Sequence, residues 1–138
     1  ADSIKLALYT SSATLGAGTT VYVTTGESSG TNYSAAGQAL TNVTPALSGS
    51  VAVCDFADEV FATATVTARG CLIYNSTNGN KAIAAIDFGA DKVSTAGDFT
   101  AYFRAPQAVQ RLSGWLNLGH RHAINSIQFQ GRNKQRRD

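Results

Sequence analysis

Charged side chains are scarce in this sequence. Asp, Glu, Lys and Arg make up 14% of its 138 residues, against ~25% in an average globular protein. Thr, Ser, Ala and Gly are abundant instead. Because low charge weakens the repulsion that keeps protein molecules apart, this composition favours a protein whose surface is covered by neighbours over a free-standing enzyme.

Methionine, long apolar runs and a secretion signal are also absent. The sequence contains no Met, so we expect the chain to begin at a processed or trimmed terminus. It has no run of about 18 apolar residues and no basic segment followed by an apolar core. The sequence therefore predicts neither a membrane partner nor a signal peptide in the chain as given.

The sequence patterns of common catalytic sites are missing as well. No Gly-x-Ser-x-Gly turn marks a nucleophilic serine. No strand, glycine-rich loop and helix follow one another in the way that phosphate binding requires. We therefore predict no catalytic residue, no cofactor and no enzymatic activity. A hydrolase built on a β-sandwich is the alternative, and it requires polar side chains clustered in a pocket.

Two groups of residues have side chains that bind cations in other proteins. His120 and His122 have the spacing that places two side chains on one side of a strand, but no cysteine or carboxylate lies beside them. Asp55, Asp58 and Glu59 form the densest acidic cluster, but they lack the regular spacing of a calcium loop. We interpret the histidines as surface or interface residues and the acidic cluster as a solvated turn, and we predict no metal site.

The sequence has only two cysteines, Cys54 and Cys71. Without an export signal, cysteines in such a domain are more often reduced and buried than bonded to each other. We predict reduced, buried thiols, with a disulfide as the alternative if the two strands that carry them pair.

Apolar and polar residues alternate along most of the first hundred positions. Ile4, Leu6 and Leu8 fall on one face of an extended segment, and residues 60–67 alternate most clearly. Residues 3–10, 20–25, 33–43, 50–56, 60–67, 71–75, 81–88 and 98–103 are predicted to be extended. No helical period appears in this part of the sequence.

Turn residues separate these segments. Asn78-Gly79 is a strong hairpin signal, Arg69-Gly70 is expected to break a strand, and Pro45 is expected to end one. We interpret Gly70, Gly79, Gly89 and Gly97 as residues in the turns of β-hairpins. About seven short strands with turns between them predict an all-β fold, either an antiparallel β-sandwich or a jelly-roll-like barrel.

The pattern changes after residue 103. Residues 105–117 could form a short helix and residues 123–129 a last strand. Residues 1–103 carry four Lys/Arg against eight Asp/Glu, a net of −4, whereas residues 104–138 carry seven against one, a net of +6. We therefore predict two parts, an acidic β-sandwich body (1–103) and an irregular basic C-terminal extension (104–138).

The extension ends in a cluster of basic side chains, Arg132, Lys134, Arg136 and Arg137. Four charges without interleaved aromatic residues are a weak signal for nucleic acid, which we do not expect as a partner. The alternatives are an acidic protein neighbour, a second copy of the chain, or no fixed partner. We predict that these four residues contact a protein partner.

Four stretches of the body also resemble a known family. They are IKLALYTSSATLGAGTT (4–20), YSAAGQALTNVTP (33–45), TARGCLIYN (67–75) and NKAIAAIDFGADKVSTAGDFT (80–100). Together they resemble small proteins encoded among the virion structural genes of tailed bacteriophages. The resemblance covers about residues 4–103 and implies a non-enzymatic virion component, with no catalytic residue to carry over.

The sequence departs from this family at both ends. Family members generally have a segment ahead of the IKLALY stretch, and here that stretch starts at Ile4. They usually end in a short apolar strand soon after the DFT stretch, whereas here residues 104–138 continue and match nothing in the family.

The resemblance implies a location in the virion after synthesis in the bacterial host cytoplasm. Our leading hypothesis is a capsid decoration or cement subunit whose partner is the major capsid protein. The alternative is a tail, baseplate or fibre-associated module that contacts tail proteins and host glycans, with Trp115, Tyr22 and Tyr33 as candidate aromatic contacts. We expect a homo-oligomer in either case, because sheet edges in a domain with so few charges need to be covered.

Overall fold

A computed structural model of the chain describes residues 1–48, 50–103 and 128–131. The strands within these ranges are β1 (Ile4–Tyr9), β2 (Gln38–Ala39), β3 (Asn42–Ser48), β4 (Val51–Phe56), β5 (Glu59–Asn75), β6 (Lys81–Tyr102) and β7 (Gln128–Gly131). The predicted all-β antiparallel fold is confirmed. No helix in the described ranges is long and apolar enough to cross a membrane. The short helix predicted for residues 105–117 lies outside them.

The long hairpin of β5 and β6 is the centre of the sheet. The strand order is β2-β1-β5-β6-β7, and β3 and β4 form a separate two-stranded ribbon. The hairpin turns at the predicted Asn78-Gly79 position, where Gly79 has a φ of +60°. The Asn75 side-chain oxygen supports this turn by accepting hydrogen bonds from the N–H groups of Thr77 and Asn78, both at 3.0 Å.

Both faces of the sheet are buried around β1. Leu6 and Leu8 lie in the main core, which also contains Phe61, Cys71 and Phe99. On the opposite face, the side chains of Ala7, Tyr9, Leu72 and Tyr74 pack under the loop residues Ala13, Leu15 and Tyr22. Each large apolar side chain buried in this way stabilises the fold by roughly 1.5–3 kcal/mol. Four consecutive residues of this short alternating strand, Leu6 to Tyr9, are therefore buried.

The predicted strand break at Arg69-Gly70 is wrong, because β5 runs through it. Gly70 lies opposite Asp87, and a Cβ atom on Gly70 would come within 2.5 Å of the Ile86 carbonyl oxygen. This glycine therefore permits close approach of two strands rather than a turn. Gly89 and Gly97 also lie inside β6, so only Gly79 of the four predicted positions is in the hairpin turn.

Irregularities of pairing replace the predicted breaks. The register of β5 and β6 shifts at four places. Ile73 pairs with Ala84 but Tyr74 pairs with Ala82, so Ile83 is an extra residue on β6. Between the pairs Ala68–Lys92 and Gly70–Asp87, β6 contains a larger insertion, residues 88–91. Such bulges bend a strand and increase its twist, which lets one hairpin of this length curve around a core.

Two further segments differ from the sequence-based prediction. Residues 20–25 do not form a strand; only Val21 makes an isolated bridge, to Lys81. The β-branched residues there favour a strand, but the tertiary contacts of Tyr22 determine the conformation instead. Pro45 does not end a strand, since β3 continues through it with a register shift between Val43 and Ala46. Proline has no N–H group to donate, so a strand accepts it where the regular pairing is interrupted.

The prediction of a buried, reduced thiol is confirmed for Cys71. Its side chain is free and fully buried, and burial raises the pKa of the thiol well above its ordinary value. A thiol in this environment is a small apolar core group rather than a nucleophile. Cys54 lies in β4, and its side chain is outside the described residues.

Candidate functional site

The two outer edges of the sheet differ in how they are covered, and this difference defines the candidate site. The outer edge of β1 is closed by the segment that follows it. Backbone hydrogen bonds join Thr10 N–H to Gly26 O (2.8 Å), Ser28 N–H to Leu8 O (2.8 Å) and Leu40 N–H to Ile4 O (2.7 Å). The two-residue strand β2 lies opposite Lys5 and Leu6.

Glu27 anchors the segment that covers this edge. Its Oε2 atom accepts a hydrogen bond from the Tyr22 hydroxyl (2.5 Å), and its Oε1 atom accepts from the Tyr33 hydroxyl (2.9 Å) and the Ala36 N–H (2.7 Å). The Tyr74 hydroxyl donates to the carbonyl of the same Ala36 (2.7 Å). A single carboxylate thus ties together three loop positions that are up to 14 residues apart in the sequence.

Four of the five tyrosines take part in this arrangement, which we call the tyrosine cluster: Tyr9, Tyr22, Tyr33 and Tyr74. The rings of Tyr22 and Tyr74 stack with their centroids 4.8 Å apart. Burial, followed by the nearby Glu27 charge, raises the pKa of Tyr9 to about 12. Burial, with the Glu27 hydrogen bond as a further cause, also raises the pKa of Tyr22 and Tyr33. These phenols are protonated donors that hold the loop in place.

The part of β5 that extends past β1 is also covered. Thr65 donates its N–H to Thr31 O (3.0 Å), and the Ser28 hydroxyl donates to Thr67 O (2.7 Å). Gly30 lies so close to β5 that a Cβ atom on it would be 1.8 Å from the Thr65 carbonyl oxygen. Residues 26–40 therefore cover the outer edge of β1 and the edge of β5 as far as Thr63.

The opposite side of the sheet is different. The outer edge of β6 is paired with β7 only at Phe99–Tyr102. At its other end, Val21 bridges Lys81, and the Ala82 N–H donates to Thr20 O (2.8 Å). Between these ends lie the runs 83–87 and 92–98, in which residues 84–87, 92–94 and 97 pair with β5, and no other strand or bridge of the described residues pairs with either run. We call these two runs the open edge.

Two carboxylates of the open edge support the backbone at the bulges. Asp87 Oδ1 accepts hydrogen bonds from Gly89 N–H (2.8 Å) and Arg69 Nε (3.1 Å). Both hydrogen bonds lower the pKa of Asp87, and the one from Gly89 has the larger effect. Asp98 Oδ1 accepts from the N–H of Thr63 (3.0 Å), which has a positive φ of 49°. These side chains thus accept hydrogen bonds from backbone N–H groups that the irregular strand pairing leaves without a partner.

The open edge carries exposed apolar side chains. Ile83 and Val93 are each 55% exposed. Its charges are Asp87, Lys92 and Asp98, with Asp91 in the bulge between the two runs. An edge strand that is long and only partly protected by charge is a template for pairing with another extended chain. Chemically, this edge offers backbone hydrogen bonds and small apolar contacts to such a chain.

Two residues of the acidic cluster accept hydrogen bonds from backbone N–H groups. Asp58 Oδ1 accepts from Phe103 N–H (2.8 Å), and Asp55 Oδ1 accepts from the N–H of Phe56 (2.8 Å). Glu59 begins β5, and partial burial raises its pKa. Across the part of the chain that the structure describes, no group of three His, Cys, Asp or Glu side chains is placed to hold a metal ion.

The other predicted site residues divide into two groups. Tyr22 and Tyr33 are engaged in the tyrosine cluster, and Tyr33 is buried, so they do not form an exposed aromatic platform. Trp115, His120, His122, Arg132, Lys134, Arg136 and Arg137 lie outside the described residues. Sequence reasoning missed Glu27, because it stands in a stretch, GESSGTN, that has only the composition of a turn.

A scan against protein-family models, a search of curated proteins and a search of solved structures each find no match to this chain. The resemblance of residues 4–103 to bacteriophage virion proteins therefore stays a prediction.

Proposed function

We propose that the protein is a non-enzymatic structural component of a bacteriophage virion, a capsid decoration subunit that lies on the shell and reinforces contacts between capsid proteins. The open edge of β6 is the observation that carries this proposal. One edge of the sheet is closed by residues 26–40, whereas residues 83–87 and 92–98 have no strand partner beyond β5 among the described residues and carry the exposed Ile83 and Val93 side chains. Strand addition at such an edge is a common mode of assembly.

The residues that resemble virion proteins support the same function. The stretch at 4–20 contains β1, the stretch at 67–75 is the half of β5 that pairs with it, and the stretch at 80–100 is most of β6. The resemblance therefore concerns the framework of the sheet and includes the open edge. It does not depend on surface loops alone.

The surface of the body suits repeated weak contacts. Large apolar side chains are exposed at Val21, Val23, Leu47, Ile83 and Val93. Charge is sparse across the same surface. A contact of modest affinity becomes effective when many copies bind one shell, since each bound copy adds to the total stabilisation. The partners would be the major capsid protein and further copies of this chain, in particles assembled in the bacterial host cytoplasm.

Co-sedimentation with expanded, undecorated shells tests the proposal. The wild-type chain should pellet with the shells and raise the temperature at which they open. Ile83→Lys, which places a charge on the open edge, should weaken binding by about ten-fold or more, as loss of one central interface residue commonly does. Val60→Lys is the matched control, because Val60 is exposed on β5 and lies outside the open edge. Wild-type chain that stays in the supernatant at every shell concentration would refute the proposal.

The copy number in purified virions separates the shell from the tail. Hundreds of copies per particle are expected for a decoration subunit. A few dozen or fewer would place the protein in the tail or baseplate and contradict the shell location.

A further inference from the structure

The turn between β5 and β6 presents an exposed asparagine that is followed by an exposed glycine, Asn78-Gly79. The main chain of Asn78 is fixed, because its N–H donates to Asn75 Oδ1 (3.0 Å) and its carbonyl accepts from Lys81 N–H (3.3 Å). Its side-chain amide makes no hydrogen bond to any described residue. A Cβ atom on Gly79 would meet no atom within 4 Å. The Asn78 side chain therefore has the freedom and the space to rotate onto the backbone that follows it.

The backbone N–H of Gly79 is free as well, since no described residue accepts a hydrogen bond from it. At three other asparagines of the described ranges, the N–H of the next residue donates to a backbone carbonyl. They are Asn32, Asn75 and Asn80, whose following N–H groups donate to Gly30 O (3.3 Å), Ser3 O (2.9 Å) and Asn78 O (3.3 Å). Asn42 is followed by Val43, whose branched side chain obstructs its own backbone nitrogen. The unbonded, unobstructed nitrogen of Gly79 sets Asn78 apart from these four asparagines.

We propose that Asn78 is a site of spontaneous covalent modification, at which the backbone nitrogen of Gly79 attacks the side-chain Cγ of Asn78. The nitrogen of Gly79 loses its proton and bonds to Cγ, while the bond between Cγ and Nδ2 breaks and Nδ2 leaves with a proton as ammonia. The product is a cyclic succinimide. Water then opens the ring, at Cγ to give aspartate or at the Asn78 backbone carbonyl carbon to give isoaspartate. The net reaction consumes one water, releases one ammonia and needs no enzyme or cofactor.

The modification changes a turn to which the loop at residues 20–22 is attached. The Tyr22 N–H donates to the carbonyl oxygen of Asn80 (2.9 Å), and the Tyr22 hydroxyl donates to Glu27 (2.5 Å). Isoaspartate inserts a methylene group into the main chain two residues before Asn80, and either product adds a carboxylate to the turn. The modification thus loosens the attachment of residues 20–22 as the protein ages. This inference does not depend on the proposed virion function.

Incubation of the full, folded chain in mildly alkaline buffer, below the pH at which the tyrosine cluster ionises, tests the chemistry. Mass spectrometry of proteolytic peptides, with methyl labelling of isoaspartate by isoaspartyl methyltransferase, follows each asparagine over time. Asn78 should convert about ten-fold or more faster than Asn75, whose neighbouring nitrogen becomes free only on local opening. Asn78→Ser keeps the backbone hydrogen bonds and should remove the signal. Gly79→Ala should slow conversion by about ten-fold, because a Cβ atom restricts the backbone at this position.

Hydrogen exchange tests the effect on the loop. The modified chain can be separated from the unmodified chain by its additional negative charge. The N–H groups of Tyr22 and Ala82, which donate to Asn80 O and Thr20 O, should exchange about ten-fold faster in the modified chain, because the turn that holds them opens more readily. The Thr65 N–H, which donates to Thr31 O at the other end of the hairpin, is the control and should be unaffected.

Three results would overturn the inference. Asn78 could convert in urea but stay intact in the folded chain, which would mean that the turn prevents the attack. Asn75 and Asn78 could convert at the same rate, in which case the free N–H of Gly79 does not select the site. Finally, exchange at Tyr22 and Ala82 could be the same in the modified and unmodified chains, which would refute the loosening of the loop. Conversion at Asn78 that is lost in Asn78→Ser and accompanied by faster exchange at these two amides supports it.

Discussion

The hydroxyl oxygen of Tyr33 accepts a hydrogen bond from the backbone N–H of Leu8, 2.9 Å away, at a point where β1 has no partner strand. β1 is bonded to residue 28 on one side of this position and to β2 on the other. The phenol therefore takes the place of a missing strand residue. Because the same hydroxyl donates to Glu27 (2.9 Å), one side chain connects the strand edge to the anchor of the covering loop.

Tyr33→Phe should destabilise the protein by about 1–3 kcal/mol, the cost of leaving a buried polar group without its partner. The substitution removes the acceptor of the Leu8 N–H and one of the donors to Glu27, but it keeps the ring that packs on Phe61. Urea unfolding followed by circular dichroism measures the loss. Tyr102→Phe is the control, because Tyr102 is outside the tyrosine cluster. Equal stability of the two variants would show that the hydroxyl of Tyr33 contributes nothing.

Alkaline pH should unfold the protein through the tyrosine cluster. Burial raises the pKa of Tyr9 from 10.0 to about 12, so the phenol ionises more readily in the unfolded chain than in the folded one. The stability from this group is fully present below pH 10.0 and is lost as the pH rises towards about 12. Urea unfolding at a series of pH values should show this decline. Tyrosinate absorbance should rise together with unfolding, and a rise that precedes unfolding for all tyrosines would contradict the expectation.

Two glycines with similar backbone conformations should respond differently to alanine. Gly37 has a φ of +70° and Gly79 a φ of +60°. A Cβ atom on Gly37 would lie 1.8 Å from the Leu6 carbonyl oxygen, whereas the space around Gly79 is open. Gly79→Ala should therefore cost about 1 kcal/mol, the conformational term alone. Gly37→Ala should cost about 3 kcal/mol or more, because the backbone of β2 must also move away from β1.

Thermal or urea unfolding of these two variants measures the difference. Similar losses of stability for both variants would mean that residues 26–40 move away from β1 at little cost in free energy.

The elements that the sequence predicts best are those whose signal is local. β1 and the turn at Asn78-Gly79 follow from alternation and local turn chemistry, and both are observed. Gly70 looks like a break for the same local reasons, yet its role depends on the approach of Ile86 from the other strand. A single residue pattern cannot distinguish a glycine that turns the chain from one that admits a neighbouring backbone.

The candidate site was predictable only in general terms. Sparse charge indicated that sheet edges need a cover, but it did not indicate which edge. The answer depends on Glu27, whose partners Tyr22, Tyr33 and Ala36 are brought to one point by the path of the loop. Because these contacts close the edge of β1, the edge of β6 is the one that lacks a described partner along residues 83–87 and 92–98.

Self-association should depend on the half of the open edge at residues 83–87. Ile83 is 55% exposed there and is the extra residue of a bulge, so replacing it alters the surface and not the core. Ile83→Lys should change the folding free energy by no more than about 0.5 kcal/mol, as is usual for an exposed position. It should raise the dissociation constant of the homo-oligomer by about ten-fold or more, because a buried lysine at a strand interface is unpaired. Sedimentation velocity over a range of protein concentrations gives this constant.

Val60→Lys and Val93→Lys make the self-association experiment specific. Val60 lies on β5, outside the open edge, so its substitution should leave association unchanged. Val93 is exposed in the other run of the open edge, residues 92–98, so Val93→Lys tests whether the second copy binds there as well. An equal effect of both edge variants would mean that the whole open edge binds the second copy. A wild-type chain that is monomeric at all concentrations would contradict the expected homo-oligomer.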